Sequence, residues 1–280
     1  MKKKQLTLAY STCPNDTFIF HALAERIVDT RGLEFKIALA DVEALNQAAA
    51  AGVYDISKLS FAAIGHLNGK YRILESGAAL GRGCGPMVVA RSGFRAQNLS
   101  EAKIAVPGYW TTANLLLGLY LGKKIPVQAM TFDRIMPAVV SGAVDAGVII
   151  HEGRFTYPEY GLRCLVDLGR WWEDETGYPI PLGAIAVRED VSPEIAANVS
   201  AAIQQSIAYA YDNPGASDCY IQEHAQELSR DVIRQHIELY VNDFSRKMGP
   251  EGHAAVEALF SRAVQNGIFP EFRCRLYSHD

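Results

Sequence analysis

The chain has 280 residues, which is enough for one large domain or for two of ordinary size. Its composition, with 49% apolar and 21% charged residues, is that of a soluble globular protein and argues against a disordered or membrane-spanning chain. The net charge of -4 gives no basic surface for nucleic acid or anionic membranes, so a small-molecule ligand is the expected partner, with the oligomeric state undetermined.

The amino terminus and the cysteines both predict a cytoplasmic protein. The opening "MKKKQLTLAYSTCPND" has the basic residues of a signal peptide, but its apolar run ends after a few residues at a polar stretch. The cysteines are odd in number and widely scattered, without a CxxC pair or a disulfide-like framework. They are Cys13, Cys84, Cys164, Cys219 and Cys274. This pattern suits a reducing compartment.

Short apolar runs alternate with helix-like segments through the first half of the chain. The strand-like runs are, in order, "LTLAY", "LEFKIAL", "KIAVPG", "VQAMTF" and "AGVII". A helical pattern follows each of the first four: "DTFIFHALAERI", "DVEALNQAAAAG", "TTANLLLGLYLG" and "RIMPAVVSG". This alternation predicts an α/β fold with parallel sheets built from crossover units. Gly52, Gly122 and Gly142 predict left-handed helix ends.

From Ser192 onward the pattern is almost wholly helical. The segment "SPEIAANVSAAIQQSIAYAYDN" begins with a serine cap, a proline and a glutamate, and two further helical segments follow. No low-complexity tract or linker separates these helices from the strands. We therefore expect them to pack on the sheets formed earlier in the chain.

An internal repeat relates two helix-to-strand units. In "AAAAGVYDISKLSFAA" and "AVVSGAVDAGVIIHEG", a helix end, a glycine and an aspartate precede a short apolar run. Gly52 and Asp55 correspond to Gly142 and Asp145. Because ligands of open parallel sheets bind beyond the carboxyl ends of the strands, the repeat predicts two similar lobes that face each other across a cleft.

The segment "YSTCPNDTFIF" carries the first candidate ligand contacts. Ser11 and Thr12 follow a predicted strand and precede an apolar helix, so their hydroxyls and the helix-start amides are candidates to hold ligand oxygens. Asn15 and Asp16 are better explained as helix caps. The two interpretations are compatible.

Polar residues also interrupt the apolar run of "DISKLSFAA". Ser57, Lys58 and Ser60 stand at the end of a predicted strand, where their burial is costly without hydrogen bonds. We interpret the two serines as ligand contacts. For Lys58, a solvated loop position is an equally good explanation.

In "AVPGYWTTANLLL", Thr111 and Thr112 begin an amphipathic helix after a strand. Their hydroxyls and the helix-start amides form a candidate site for a carboxylate or carbonyl oxygen, although a plain threonine cap explains the spacing equally well. The glycine-rich "GAALGRGCGPMVVA" lacks the spacing of a phosphate-binding loop and indicates either a mobile crossing between lobes or a close approach of the backbone to the ligand. Arg82, within it, is either an anion contact or a solvated side chain.

Of the seven histidines, only His151 lies at a predicted strand end that faces the cleft. No HxH, HxxxH or HExxH spacing accompanies it, so the sequence indicates no metal site. A lone histidine is more often structural than catalytic, and the residues alone leave both roles open for His151.

Several segments in the same order resemble the 1,4-dihydroxy-6-naphthoate synthase family of the futalosine route to menaquinone. They are "STCPNDTFIFHAL", "DVEALN", "KLSFAA", "ALGRGCGPMVVA", "AVPGYWTTA", "IIHEGRFTYPEYGL" and "YVNDFS". The resemblance covers nearly the whole chain. It implies a fold like the type II periplasmic binding proteins, with residues 1–95 and 192–280 in lobe 1, residues 96–191 in lobe 2, and the substrate cleft between them.

The resemblance also implies an activity and its residues. Members of the family convert cyclic dehypoxanthinyl futalosine to 1,4-dihydroxy-6-naphthoate and dihydroxyacetone, with no cofactor or metal. The histidine of "IIHE", here His151, is implied as the base. The implied substrate contacts are Ser57, Lys58, Leu59, Ser60, Thr112 and Ala113. A chorismate dehydratase of the same fold and a non-catalytic solute-binding protein remain alternatives, and Glu152 has no assigned role.

Overall fold

Two mixed β-sheets organise this computed structural model, which describes residues 4–123, 125–225, 229–271 and 276–278. In chain order the strands are β1 (Lys4–Tyr10), β2 (Leu33–Leu39), β3 (Ile56–Ser60), β4 (Tyr71–Ile73), β5 (Ala79–Gly81), β6 (Met87–Arg91), β7 (Ile104–Val106), β8 (Val127–Ala129), β9 (Ala146–Ile149), β10 (Leu162–Asp167) and β11 (Ile180–Arg188). The helices are α1 (Pro14–Ala24), α2 (Val42–Ala50), α3 (Phe61–Leu67), α4 (Thr112–Leu121), α5 (Phe132–Ser141), α6 (Gly153–Thr156), α7 (Leu168–Thr176), α8 (Pro193–Asp212), α9 (Asp218–His224), α10 (Arg230–Tyr240), α11 (Asp243–Arg246) and α12 (Gly249–Gln265).

The two sheets repeat one topology, as the internal sequence repeat predicts. The first has the order β2-β1-β3-β11-β4, with β5 paired to β11, and the second has the order β8-β7-β9-β6-β10. In each, the first strand of the unit is parallel to both of its neighbours. The repeated Asp55 and Asp145 lie directly before β3 and β9 in the chain. The two lobes are therefore built on the same α/β unit.

The prediction of wholly parallel sheets is wrong. β11 is antiparallel to β3, and β6 is antiparallel to both β9 and β10. The cause is the path of the chain, because β6 and β11 are the strands by which it enters one sheet directly from the other. Such a strand is not preceded by a crossover helix of its own sheet, so it is free to pair antiparallel.

The expected lobe boundaries at 95/96 and 191/192 do not follow the sheets. The strands of the second sheet lie between Met87 and Asp167, and β11 belongs to the first sheet. A strand shows the same local pattern of apolar residues whichever sheet it joins, so the sequence does not show to which sheet β6 and β11 belong. The division into lobe 1 (residues 1–95 and 192–280) and lobe 2 (residues 96–191) stays a prediction.

One hydrophobic cluster joins the two sheets. It contains Leu59 and Ala186 from the first sheet, Val88 and Val148 from the second, and Leu116 from α4, all without solvent exposure. Two further clusters lie within single lobes. The shared cluster fixes the strand ends of both sheets close together.

Local signals in the sequence determine several helix ends. α4 and α5 end at Gly122 and Gly142 in the left-handed conformation, and Gly52 adopts it directly after α2. At the amino-terminal end of α8, the Ser192 side chain accepts a hydrogen bond from the Ile195 amide. These predicted caps are confirmed.

Candidate active site

A cavity of about 80 Å³ lies between the sheets, where β3 and β9 end. The predicted site residues that line it are Ser11, Lys58, Leu59, Ser60, Thr111, Thr112, Ala113 and His151. Thr12 and Ser57 do not line it. The Ser57 hydroxyl is buried and donates to the carbonyl oxygen of Lys58 at 3.1 Å. Residues far apart in sequence are thus brought together around one space.

His151 follows β9 and has a strained backbone. Its φ is +54°, in the left-handed region that non-glycine residues rarely adopt. The imidazole is half-buried and meets the ring of Phe132 edge-on at 5.2 Å. Its Nε2 atom is buried and has no hydrogen-bond partner within the protein. An unpartnered imidazole nitrogen held in this way is suited to accept a proton.

Lys58 lies in the cavity wall rather than in solvent. Its Nζ is 2.8 Å from Asp16 Oδ1, and both side chains are almost fully buried. Asp16 also accepts hydrogen bonds from the backbone amide and the hydroxyl of Ser11. The solvated explanation of Lys58 is therefore wrong, because this buried carboxylate compensates its charge.

The prediction that Asn15 and Asp16 cap α1 is also wrong. The N-cap is Cys13, which makes no side-chain cap hydrogen bond, and Pro14 begins the helix. Asn15 and Asp16 lie in the first turn of the helix. The Asp16 carboxylate accepts a hydrogen bond from Lys58 Nζ, and Asn15 Oδ1 is hydrogen-bonded to Nε2 of the buried His236. The helix begins two or three residues earlier than these caps would place it, because proline is well tolerated at the first helical position.

A hydrogen bond beside the cavity links the two lobes. The carboxylate of Glu43, in α2, accepts a hydrogen bond from the backbone amide of Trp110 at 3.2 Å. Asn46, one turn further along, donates to Ser60 Oγ at 3.1 Å and accepts from the Ser60 amide at 3.0 Å. Gly108 lies against this bridge, and a Cβ there would be 2.4 Å from the Glu43 carboxylate. Close approach therefore requires glycine at position 108.

Thr111 and Thr112 act differently at the start of α4. Thr111 caps the helix by accepting from the Asn114 amide, and its hydroxyl donates to the Gly108 carbonyl at 2.8 Å. The Thr112 hydroxyl donates a hydrogen bond across the lobes to the carbonyl oxygen of Leu182 in β11, at 2.7 Å. Both residues line the cavity, so the cap and the helix-start amides lie at one site.

The sequence did not indicate His236 as part of this region. It lies on α10 with no solvent exposure, and its ring stacks parallel to that of His151 with centroids 6.0 Å apart. Burial, followed by the charges of His151 and Lys58, holds the pKa of His236 well below its usual value. No local motif marks this residue, because the packing of α10 on α1 brings it there.

Arg82 lies outside the cavity. It is half-exposed and forms an ion pair with Glu251 at 2.9 Å, and it donates to the carbonyl oxygen of Gly177. Beside it, Gly85 and Gly169 pack backbone against backbone, so a Cβ on Gly85 would be 2.2 Å from the Gly169 Cα. The glycine-rich segment thus crosses from the first sheet to the second between β5 and β6, and its mobility stays a prediction.

Neither a metal-binding cluster nor a membrane-spanning helix occurs in the described ranges. No group of three or more His, Cys, Asp or Glu side chains among these residues could hold a metal ion. No helix in the same ranges is long and apolar enough to cross a membrane. The cavity does supply an imidazole, a buried ammonium group, hydroxyls and helix-start amides, which together can remove a proton and bind oxygen anions.

Comparison with known proteins identifies the family. The model of a protein family described as "Menaquinone biosynthesis" matches residues 6–265. The chain belongs to this family. Among curated members, the "1,4-dihydroxy-6-naphtoate synthase" of Thermus thermophilus is 48% identical over 263 residues, covering 94% of this chain and 95% of the relative. The protein of the same name from Streptomyces coelicolor is 42% identical over 276 residues and 96% of each chain.

Solved structures confirm the two-lobed α/β fold of this menaquinone biosynthesis protein. A protein from Archaeoglobus fulgidus has a TM-score of 0.89 at 38% identity and covers 95% of this chain and 98% of its own. The alkanesulfonate-binding protein from Xanthomonas axonopodis has a TM-score of 0.71 at 13% identity, covering 97% and 96%. At that identity the likeness shows the fold alone, which is that of the periplasmic binding proteins.

Proposed function

We propose that this protein is a 1,4-dihydroxy-6-naphthoate synthase. In this role it is a carbon–carbon lyase that converts cyclic dehypoxanthinyl futalosine to 1,4-dihydroxy-6-naphthoate and dihydroxyacetone. The observation that carries the proposal is the similarity to two synthases of that name along nearly the full length of both chains. The cavity residues supply the chemistry that such a reaction requires.

His151 is the general base of the proposed reaction. It lines the cavity, and the Nε2 lone pair has no competing donor within the protein. Taking a proton from carbon activated by a carbonyl requires a base that is neutral near pH 7, which imidazole provides. Formation of the aromatic naphthalene ring then drives cleavage of the carbon–carbon bond, so the proposed reaction uses neither a metal nor a redox cofactor.

The remaining lining residues bind the substrate. The carboxylate and the developing enolate oxygen are stabilised by the Lys58 ammonium group, by the Ser60 hydroxyl, and by the amides at the start of α4, which Thr111 and Thr112 hold in place through their own hydrogen bonds. The cavity of about 80 Å³ is smaller than the roughly 150 Å³ cavity that accommodates benzene. The lobes must therefore separate for a bicyclic substrate to enter, and their closure excludes water.

The proposed location is the cytoplasm. The four cysteines within the described ranges are free thiols, with no disulfide to require an oxidising compartment.

A turnover assay on purified protein tests the proposal. Incubation with cyclic dehypoxanthinyl futalosine should yield naphthoate absorbance, and His151→Asn should lower kcat by about 100-fold or more with substrate still bound in calorimetry. His224→Asn, on α9 and outside the cavity lining, is the matched control and should retain full turnover.

Three outcomes contradict parts of the proposal. Binding without turnover by the unmodified protein would indicate a solute-binding protein. Dehydration of chorismate in its place would indicate the alternative enzyme of this fold. Undiminished turnover by His151→Asn would leave the synthase but remove His151 as its base.

A further inference from the structure

Tyr240 is a buried aromatic residue of the cavity lining that no motif of the sequence marks as a site residue. It is the last residue of α10, and it is 6% exposed. Its ring packs against that of the buried His236, with centroids 4.6 Å apart. A buried tyrosine usually has its hydroxyl hydrogen-bonded, so the partner of this hydroxyl requires an explanation.

Five side-chain hydroxyls belong to residues that line the cavity, and three of them already donate to protein oxygens. The hydroxyls of Ser11, Thr111 and Thr112 donate hydrogen bonds of 2.7–2.8 Å. Within the part of the chain that the structure describes, the hydroxyls of Ser60 and Tyr240 donate to no acceptor. These two hydroxyls can therefore donate to a ligand.

The Tyr240 hydroxyl is open to the cavity. The described ranges contain six fully buried side-chain polar atoms without a hydrogen-bond partner, and the Tyr240 oxygen is not one of them. Since it has no protein partner either, this oxygen retains contact with open space, which for Tyr240 is the cavity. The Ser245 hydroxyl donates to the Tyr240 carbonyl oxygen at 3.3 Å and holds the end of α10. The donor is thus both available and fixed.

His151 and Tyr240 pack against the same ring. The His236 ring is parallel to that of His151, with centroids 6.0 Å apart, and is tilted against that of Tyr240. His236 has no solvent exposure, and its Nε2 is hydrogen-bonded to Asn15 Oδ1 at 2.9 Å, so it forms a rigid wall. The proposed base and the phenol of Tyr240 therefore lie on the same side of the cavity.

The proposed reaction requires a hydrogen-bond donor at that place. When His151 takes the proton from carbon, the electron pair of the C–H bond moves to the oxygen of the activating carbonyl group. This oxygen is two bonds from the carbon that loses the proton, so its donor must lie near the base. We infer that the Tyr240 hydroxyl donates a hydrogen bond to the enolate oxygen, an inference that rests on the function proposed above. Tyr240 keeps its own proton throughout.

The protonation state of Tyr240 fits this role. Burial raises the pKa of Tyr240, so its hydroxyl is neutral at pH 7. A hydrogen bond from a neutral donor becomes stronger when its acceptor becomes an anion, so Tyr240 stabilises the enolate more than the carbonyl group from which it forms. The Lys58 ammonium group and the amides at the start of α4 suit the substrate carboxylate, which is charged before and after the reaction.

Tyr240→Phe tests the inference, because it removes only the hydroxyl and keeps the ring against His236. With the proposed substrate, kcat should fall by about 100-fold and KM should change by less than about threefold, as expected for the loss of one donor to an oxyanion. Tyr120→Phe is the matched control and should retain full turnover. Tyr120 is a half-buried tyrosine of α4 that packs edge-on against Trp171 and does not line the cavity.

Unfolding in urea separates this role from a structural one. Because no described residue accepts from the Tyr240 hydroxyl, its removal should leave the urea midpoint unchanged or raise it. A midpoint that falls together with kcat would assign the loss to the fold and overturn the inference. A raised KM with unchanged kcat would also overturn it, because the hydroxyl would then bind the substrate before the reaction as strongly as the enolate.

The two proposals fail in different ways. If the unmodified protein does not convert the proposed substrate, the proposed function is wrong and the role of Tyr240 falls with it. If the unmodified protein is active and Tyr240→Phe is equally active, only the role of Tyr240 is wrong, and the synthase assignment is unaffected.

Discussion

Lys58 Nζ and Asp16 Oδ1 form an ion pair of 2.8 Å in which neither side chain has more than 7% of its surface exposed. The pair links β3 to the first turn of α1, directly behind the hydroxyl of Ser11. A charge at this depth is stable only with its partner, because its desolvation is otherwise uncompensated. The pair therefore holds the first lobe's wall of the cavity in place.

Removal of one member of the pair should destabilise the fold strongly. Lys58→Met leaves Asp16 buried without its cation and should lower the free energy of unfolding by about 3–5 kcal/mol in urea titrations. The double variant Lys58→Met/Asp16→Asn carries no uncompensated charge and should recover part of this loss. A double variant less stable than Lys58→Met would show that the carboxylate is stabilised by its other donors alone.

Gly108→Ala should weaken the bridge between the lobes. The new Cβ would displace the Glu43 carboxylate, which then loses its hydrogen bond from the Trp110 amide. Because hydrogen bonds to charged groups contribute about 1.5–3 kcal/mol, KM for the proposed substrate should rise roughly tenfold. Steady-state kinetics measures this change directly.

Gly118→Ala provides the matched control for that variant. Gly118 lies within α4, and a Cβ there meets only Ile268, at 3.9 Å. Alanine is the better helix former, so the unfolding free energy should increase by about 0.5–1 kcal/mol and KM should not change. An equal rise of KM in both variants would indicate a general effect on the second lobe.

His151→Gly should be more stable than His151→Ala. At φ +54° a residue with a Cβ is strained by about 1–2 kcal/mol, and glycine is not. Both variants lose the same imidazole contacts with Phe132 and His236, so their difference isolates the backbone. Parallel urea titrations measure it, and equal stabilities would mean that the loop relaxes to another conformation.

Acid should destabilise the protein through His236. Its pKa is depressed in the folded state, so the unfolded chain binds a proton that the folded chain does not. Stability is therefore full above about pH 6.5 and falls as the pH decreases below it, by up to about 1.4 kcal/mol per pH unit. His236→Gln should reduce this slope in urea titrations at pH 5.5 and 7.5, and an unchanged slope would assign it to other groups.

The sequence predicts most of the strands and helices, and it predicts several of the residues that line the cavity. Runs such as Leu33–Leu39 coincide with observed strands, because apolar periodicity and turn residues act over a few positions. The place of His151 at a strand end also follows from such a run. The sequence did not predict that β6 and β11 are antiparallel to their neighbours, because the direction of a strand depends on the path of the chain between the sheets.

His236 illustrates the same limit within the site. It is 221 residues from its hydrogen-bond partner Asn15 and 85 positions beyond His151, and its own helix has an ordinary amphipathic pattern. Only the docking of α10 against α1 makes it a neighbour of His151. Thr12 and Ser57 show the converse, because a polar residue beside a cavity can still turn away from it. Their predicted substrate contacts stay predictions.

The left-handed backbone of His151 places two selective pressures in opposition at one position. Folding alone favours glycine or asparagine there, whereas the proposed chemistry requires imidazole. As long as turnover is under selection, the strain persists. A descendant of this protein that kept the fold but was released from catalysis, to carry or sense a ligand, would be expected to drift to glycine or asparagine at this position early. The residue at position 151 would then distinguish catalytically active descendants from inactive ones.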